Sequence, residues 1–171
     1  GGPAPMCVDP SRKFLYAASR VSCEISSYSL DHSSGTPILI GKDSLESDPC
    51  YIATDRRGRF LLSAHYNAGK VEVYPISEDG IVAGHPVESI DTAQGAHCIQ
   101  TDESNRFAFV PHIAGTTGPN EIFQFLFDDD TGRLEHNTPF KLRPGTGPGP
   151  RHYCFPPTRD IVYFSNEQGC S

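Results

Sequence analysis

Residues 50–62 read Cys-Tyr-Ile-Ala-Thr-Asp-Arg-Arg-Gly-Arg-Phe-Leu-Leu, which is a short β-rich run, a polar turn and the start of an apolar run. The same succession aligns without gaps to three further segments: 4–16, 97–109 and 151–163. The four segments start 46, 47 and 54 residues apart, and an aspartate recurs at the sixth position in three of them: Asp9, Asp55 and Asp102. Self-similarity at this period is typical of repeat architectures.

Each repeat unit predicts four short strands separated by polar or Gly-containing turns. The second, apolar strands are expected at 13–19, 59–65, 106–112 and 160–166. Four strands in about 45 residues match one blade of a propeller. We therefore predict an all-β fold, a single β-propeller domain, with repeat units at approximately 3–48, 49–95, 96–149 and an incomplete 150–171. A β-sandwich with coincidental spacing is the alternative.

Three and a half blades do not close a ring and would leave strand edges unpaired, so we expect a fragment. The absence of an initiator methionine before Gly1 favours the same interpretation. The net charge of −7 argues against a nucleic-acid or anionic-membrane partner. The six cysteines form no CxxC pair, which predicts reduced thiols and a cytoplasmic setting.

Propeller geometry predicts where polar side chains converge. The second strand of a blade runs antiparallel to the first, so the start of the first and the end of the second lie on one face. Five side chains are then expected at one mouth of the central channel: His65, His97, His112, Arg151 and Glu167. Convergent polar groups in a concave mouth predict a binding or active site.

The sequence resembles a known family at several short motifs. They are Tyr66-Asn67-Ala68-Gly69, Gly95-Ala96-His97, Val110-Pro111-His112, Gly149-Pro150-Arg151-His152 and Asn166-Glu167. As a set they are similar to the seven-bladed propeller lactonases, which include propeller-type 6-phosphogluconolactonases and carboxy-cis,cis-muconate cyclases. The resemblance covers essentially the whole chain and implies a seven-bladed ring. It maps the family's catalytic residues onto His97, Arg151 and Glu167, and places a second arginine beyond Ser171.

The activity implied by this resemblance is hydrolysis of a sugar lactone, above all 6-phosphogluconolactone. Glu167 would activate water, Arg151 would bind and polarise the substrate, and His97 would handle a proton. We expect no metal and no organic cofactor. Six residues are expected to line the substrate pocket: His65, Tyr66, Asn67, His112, Asn120 and His152.

Two alternatives remain open from the residues alone. One is cycloisomerisation, in which a substrate carboxylate adds to a double bond while His97 or Glu167 moves the proton. The other is a non-catalytic propeller that binds a small ligand or a protein through the same mouth. The chain departs from the bacterial lactonases at 112–120, where the connection after Val110-Pro111 is longer. We expect this extension to reshape the pocket.

Overall fold

The computed structural model describes residues 3–115 and 118–170. In this part of the chain, fourteen β-strands form four antiparallel sheets, and no helix is present. Blade 1 comprises β1 (Pro3–Val8), β2 (Phe14–Ser19), β3 (Glu24–Leu30) and β4 (Pro37–Ser44). Blade 2 comprises β5 (Tyr51–Thr54), β6 (Phe60–His65), β7 (Lys70–Pro75) and β8 (Glu88–Asp91).

Blade 3 comprises β9 (Gln100–Thr101), β10 (Phe107–Ala114), β11 (Pro119–Phe127) and β12 (Leu134–Leu142). The half-blade comprises β13 (Pro150–Cys154) and β14 (Tyr163–Asn166). Strands in every sheet follow one another in chain order, and the first strands of the three blades contact one another as β1 against β5 and β5 against β9. The predicted all-β blade architecture is confirmed, and the first strands of successive blades lie next to one another.

The recurrent aspartate closes the turn between the first two strands of each blade. Oδ1 of Asp55 accepts hydrogen bonds from the backbone N–H groups of Arg59 and Phe60, at 2.7 and 2.9 Å. Asp102 accepts the equivalent pair of bonds in blade 3, and Asp9 accepts one from Phe14 in blade 1. The repeat in the sequence is therefore a repeat of one turn chemistry, in which a carboxylate satisfies free backbone donors.

The core lies between neighbouring blades. One apolar cluster joins blades 1 and 2 and includes Tyr16, Ile25 and Leu61, while a second joins blades 2 and 3 and includes Val71 and Phe125. Blade 2 is packed on both faces, so all six residues of β6 are buried. In β2, by contrast, buried positions alternate with partly exposed ones. Burial thus depends on which neighbours a blade has.

The Tyr153 side chain fastens the half-blade to blade 3. Its hydroxyl lies 2.6 Å from the carbonyl oxygen of Gln100 and accepts a hydrogen bond from the Gln100 N–H at 2.8 Å. The same hydroxyl lies 2.8 Å from the carbonyl oxygen of Phe109. Gln100 and Phe109 face each other across the β9–β10 pair, so the phenol from the next blade meets backbone groups of both strands.

Blade 2 also contains a buried charge network. His65 Nε2 lies 3.0 Å from Glu72 Oε2, and both side chains are fully buried. Lys70 and Tyr74 donate to the same carboxylate. Burial alone would raise the pKa of Glu72, but hydrogen bonds from His65, Lys70 and Tyr74 outweigh it, and the pKa is lowered to about 2. Glu72 is therefore a buried anion held by its partners.

Candidate functional site

The backbone brings the motif residues to one end of the blades. The Gly95 N–H donates to the Tyr66 carbonyl at 3.1 Å, and the His97 N–H donates to the Pro111 carbonyl at 3.0 Å. These bonds place His97 beside the end of β6 and within blade 3. In the half-blade, Arg151 lies near the start of β13, and Glu167 directly follows β14.

Five side chains form what we call the rim cluster: Tyr66, His97, Arg151, His152 and Glu167. Arg151 Nε lies 2.8 Å from Glu167 Oε2, and the two side chains are 39% and 47% exposed. The rings of His97 and His152 meet edge to face with centroids 5.0 Å apart, and the ring of Tyr66 also meets that of His97 edge to face, with centroids 5.9 Å apart. The structure therefore brings His97, Arg151 and Glu167 together, with Tyr66 and His152 as neighbours.

The electrostatics of the rim cluster keep both imidazoles neutral. Burial, and then the Arg151 guanidinium, lowers the pKa of His97 to about 4. The same two causes lower the pKa of His152. At neutral pH the cluster thus contains one cation, one anion and two uncharged rings that can accept or donate a hydrogen bond.

A cavity of about 440 Å³ reaches the rim cluster at His152. It is lined mainly by the inner strands β1 and β5, together with Gln100 and His152. Tyr51 also lines it and packs against His152, with ring centroids 5.6 Å apart. Sequence reasoning missed Tyr51, although Tyr51 and His152 occupy the same position of the aligned repeat. That shared register was the signal that could have identified it.

His65 and His112 do not join the rim cluster. Both side chains have 0% exposure. His65 Nδ1 lies 2.7 Å from Ser47 Oγ and its Nε2 faces Glu72, whereas the His112 ring packs on Phe123 at 4.2 Å. The expected convergence at the mouth is wrong for these two side chains, because both lie in runs of consecutive buried residues near the ends of β6 and β10, where packing covers the strand on both faces.

Asn67 and Asn120, which were expected to line the substrate pocket, lie outside the rim cluster. Asn67 is exposed, and its amide lies 3.4 Å from Asp48, which is ion-paired with Arg20. The amide of Asn120 hydrogen-bonds the backbone at Gly145 and Gly149. The extension at 112–120 lengthens the β10–β11 hairpin, in which His112 pairs with Glu121 and Ala114 pairs with Pro119.

The buried His112 makes stability pH-dependent. Its pKa is lowered, mainly by burial, from 6.5 to about 4. The unfolded chain therefore binds the proton more readily, so this contribution to stability is complete above about pH 6.5 and is lost as pH falls toward 4. Linkage gives a loss of about 2 kcal/mol between pH 7 and pH 5 from this residue.

Between pH 7 and pH 5, we expect the free energy of unfolding to fall by about 2 kcal/mol less in His112→Leu than in the wild type. Urea unfolding of the full-length protein at pH 7 and pH 5 measures the difference. Equal losses in the two proteins would contradict the assignment of this pH dependence to His112.

Within 3–115 and 118–170, the side chains close enough to share a cation are Asp128, Asp129 and Asp130. They lie in the turn after β11, at the end of blade 3 opposite to the rim cluster. Asp129 and Asp130 are ion-paired with Arg57, so these carboxylates are engaged in joining blades 2 and 3.

In the same described part of the chain, no helix has the length and apolar character needed to span a bilayer.

The family model described as "Lactonase, 7-bladed beta-propeller" matches residues 1–170. A 6-phosphogluconolactonase of Cronobacter sakazakii is 34% identical over 167 residues, which cover 98% of this chain and 48% of that protein. A 6-phosphogluconolactonase of an Enterobacter species is 34% identical over 170 residues, with the same two shares. The chain spans about half the length of the curated relatives it matches.

A solved structure supports the fold. The periplasmic gluconolactonase PpgL of Pseudomonas aeruginosa superposes with a TM-score of 0.81 at 22% sequence identity. The superposition covers 96% of this chain and 51% of that one. At this level of identity the likeness concerns the arrangement of blades.

Proposed function

Because the chain belongs to the lactonase family of seven-bladed β-propellers, we propose that it forms part of an enzyme that hydrolyses a sugar lactone. The proposed reaction is the conversion of 6-phosphogluconolactone to 6-phosphogluconate, as the name of the two bacterial relatives suggests. The observation that carries the proposal is the Arg151–Glu167 ion pair beside the neutral ring of His97. A carboxylate and a neutral imidazole can move the protons, and a guanidinium can stabilise the oxyanion, in acyl transfer to water.

Glu167 is the proposed general base. An ionised carboxylate is an acceptor only, so it can take a proton from a water molecule whose oxygen attacks the lactone carbonyl carbon. Its backbone N–H donates to the Gly149 carbonyl at 2.8 Å, which fixes the position of the residue beside Arg151. The carboxylate is 47% exposed, so water reaches it directly.

Arg151 is the proposed stabiliser of the oxyanion that forms on the carbonyl oxygen. Its planar fork offers several N–H donors, of which Nε faces Glu167. A half-exposed ion pair contributes at most about 1 kcal/mol, so the substrate oxygen can share the guanidinium at little cost. The same guanidinium suits a carboxylate or a phosphate.

His97 is the proposed proton carrier. Since its pKa is lowered to about 4, it is uncharged at neutral pH and accepts a proton before it donates one. In the proposed sequence the proton taken up by Glu167 passes through His97 to the ring oxygen as the carbonyl carbon–ring oxygen bond breaks. The product then carries a free hydroxyl and a carboxylic acid, which ionises in solution.

The setting of the reaction is also part of the proposal. We take the repeat units at 3–48, 49–95, 96–149 and 150–171 as successive parts of one propeller domain that acts on a small-molecule lactone. A cytoplasmic location is supported by the free state of all six cysteines, because thiols persist in a reducing compartment.

The test is an assay of the purified full-length protein with 6-phosphogluconolactone, with acid release followed at a pH where spontaneous hydrolysis is slow. We expect hydrolysis well above the spontaneous rate, and weaker activity on the unphosphorylated lactone. A folded protein that accelerates neither reaction would exclude lactonase activity. The cycloisomerase or binding alternative would then become the leading hypothesis.

A further inference from the structure

We propose that Asn120 is a positioning residue of the rim cluster, which it serves through the loop before Arg151 and not by touching the substrate. The proposal rests on the proposed lactonase function. Asn120 directly follows Pro119, the first residue of β11, in the lengthened β10–β11 hairpin, and its backbone has a positive φ of 56°. Asparagine is one of the few residues other than glycine that adopts this left-handed conformation readily.

Both polar atoms of the Asn120 side chain are committed to the loop at 143–149. Nδ2 donates to the Gly145 carbonyl at 3.1 Å, and Oδ1 accepts from the Gly149 N–H at 2.8 Å. These two bonds use one N–H donor and one acceptor position of the amide, and they direct the side chain to the loop. The proposal therefore gives Asn120 a role in holding the loop in place of the direct binding role expected from the sequence.

The bond to Gly149 leads directly to the catalytic candidates. The Gly149 carbonyl accepts the backbone N–H of Glu167 at 2.8 Å, and Gly149 is separated from Arg151 by Pro150 alone. One residue thus connects Asn120 to both members of the ion pair. Gly149 itself has a φ of 64°, a left-handed conformation that glycine adopts without strain. Asn120 holds this turn of the loop from blade 3.

A second contact from the same hairpin supports this role. The Gln168 side chain donates to the Ala114 carbonyl at 2.9 Å, so the hairpin also holds the segment directly after Glu167. The lengthened hairpin thus meets the half-blade on both sides of the ion pair. A displacement of catalytic groups by about 1 Å can lower a reaction rate about 10²-fold. Loss of these hairpin contacts is therefore expected to slow lactone hydrolysis.

The test compares Asn120→Gly with Asn120→Asp in the full-length protein. Glycine keeps the left-handed backbone and removes both hydrogen bonds, whereas aspartate keeps the acceptor for the Gly149 N–H. We expect Asn120→Gly to lower kcat about 10- to 100-fold with a smaller change in KM, and to shift the acidic limb of the pH profile. We expect Asn120→Asp to retain most of the wild-type kcat.

Asn105→Gly is the matched control. Asn105 also has a positive φ, of 60°, and its side chain joins blade 3 to Asp55 and Arg56 of blade 2 at the opposite end of the blades. Its replacement should reduce thermal stability at least as much as Asn120→Gly does. It should leave kcat, KM and the pH profile of the folded enzyme unchanged.

Hydrogen exchange separates this proposal from the lactonase proposal. We expect the amides of Gly149 and Glu167 to exchange faster in Asn120→Gly than in the wild type or in Asn105→Gly. Unchanged exchange at these amides, or an equal loss of kcat in both glycine variants, would overturn the positioning role. A wild type without lactonase activity would refute the proposed function, and the exchange measurement would still decide the role of Asn120.

Discussion

Glu167→Gln in the full-length protein is expected to lower kcat for lactone hydrolysis by about 10²- to 10⁴-fold, the range that a positioned general base contributes. Glutamine keeps the size of the side chain but cannot accept a proton from water at neutral pH. KM should change little, because Arg151 remains in place to bind the substrate. Initial rates across a range of lactone concentrations measure both constants.

The fold of this variant should be intact. The Arg151–Glu167 pair is 39% and 47% exposed, and a pair of this kind contributes at most about 1 kcal/mol. Glu135→Gln, on the outer strand β12, is a suitable control and should retain full activity. If Glu167→Gln keeps wild-type kcat, Glu167 is not the base, and another group must activate the water.

The largest effect on stability is expected at Glu72. Glu72→Gln should lower the free energy of unfolding by about 3–5 kcal/mol, because it removes the anion that His65 and Lys70 face in the interior. Burial of a cation without its partner is costly, and Lys70 is only 14% exposed. Urea denaturation near neutral pH measures the loss.

Glu46→Gln is the matched control, since Glu46 pairs with the same Lys70 at 3.0 Å but is 63% exposed. Its replacement should cost less than about 1 kcal/mol. Equal effects of the two substitutions would mean that the buried network stabilises the fold no more than an exposed ion pair does. Acid should weaken the same network, since the lowered pKa of Glu72 means that its contribution is lost as pH falls from 4.5 toward 2.

Much of the fold could be predicted from the sequence, because turn chemistry and strand patterning are local. The aspartate of the repeated segment, for example Asp55, binds backbone donors within five residues of itself. Such contacts recur wherever the same residues recur, so gapless alignment of four segments was sufficient to predict blades. The positions of His97, Arg151 and Glu167 near one another followed from the same repeat and from antiparallel pairing.

The tertiary structure decided which face of a strand each side chain occupies and what it meets there. His65 and His97 were both expected at the mouth, yet His65 lies against Glu72 in the interior and His97 lies against His152 at the rim. Asn120 was expected to bind substrate, and its amide instead holds Gly145 and Gly149. The contact of His65 with Glu72 is made inside blade 2, between the neighbouring strands β6 and β7. The contacts of Asn120 and His97 depend on packing between consecutive parts of the chain, which brings together residues 25 to 55 positions apart.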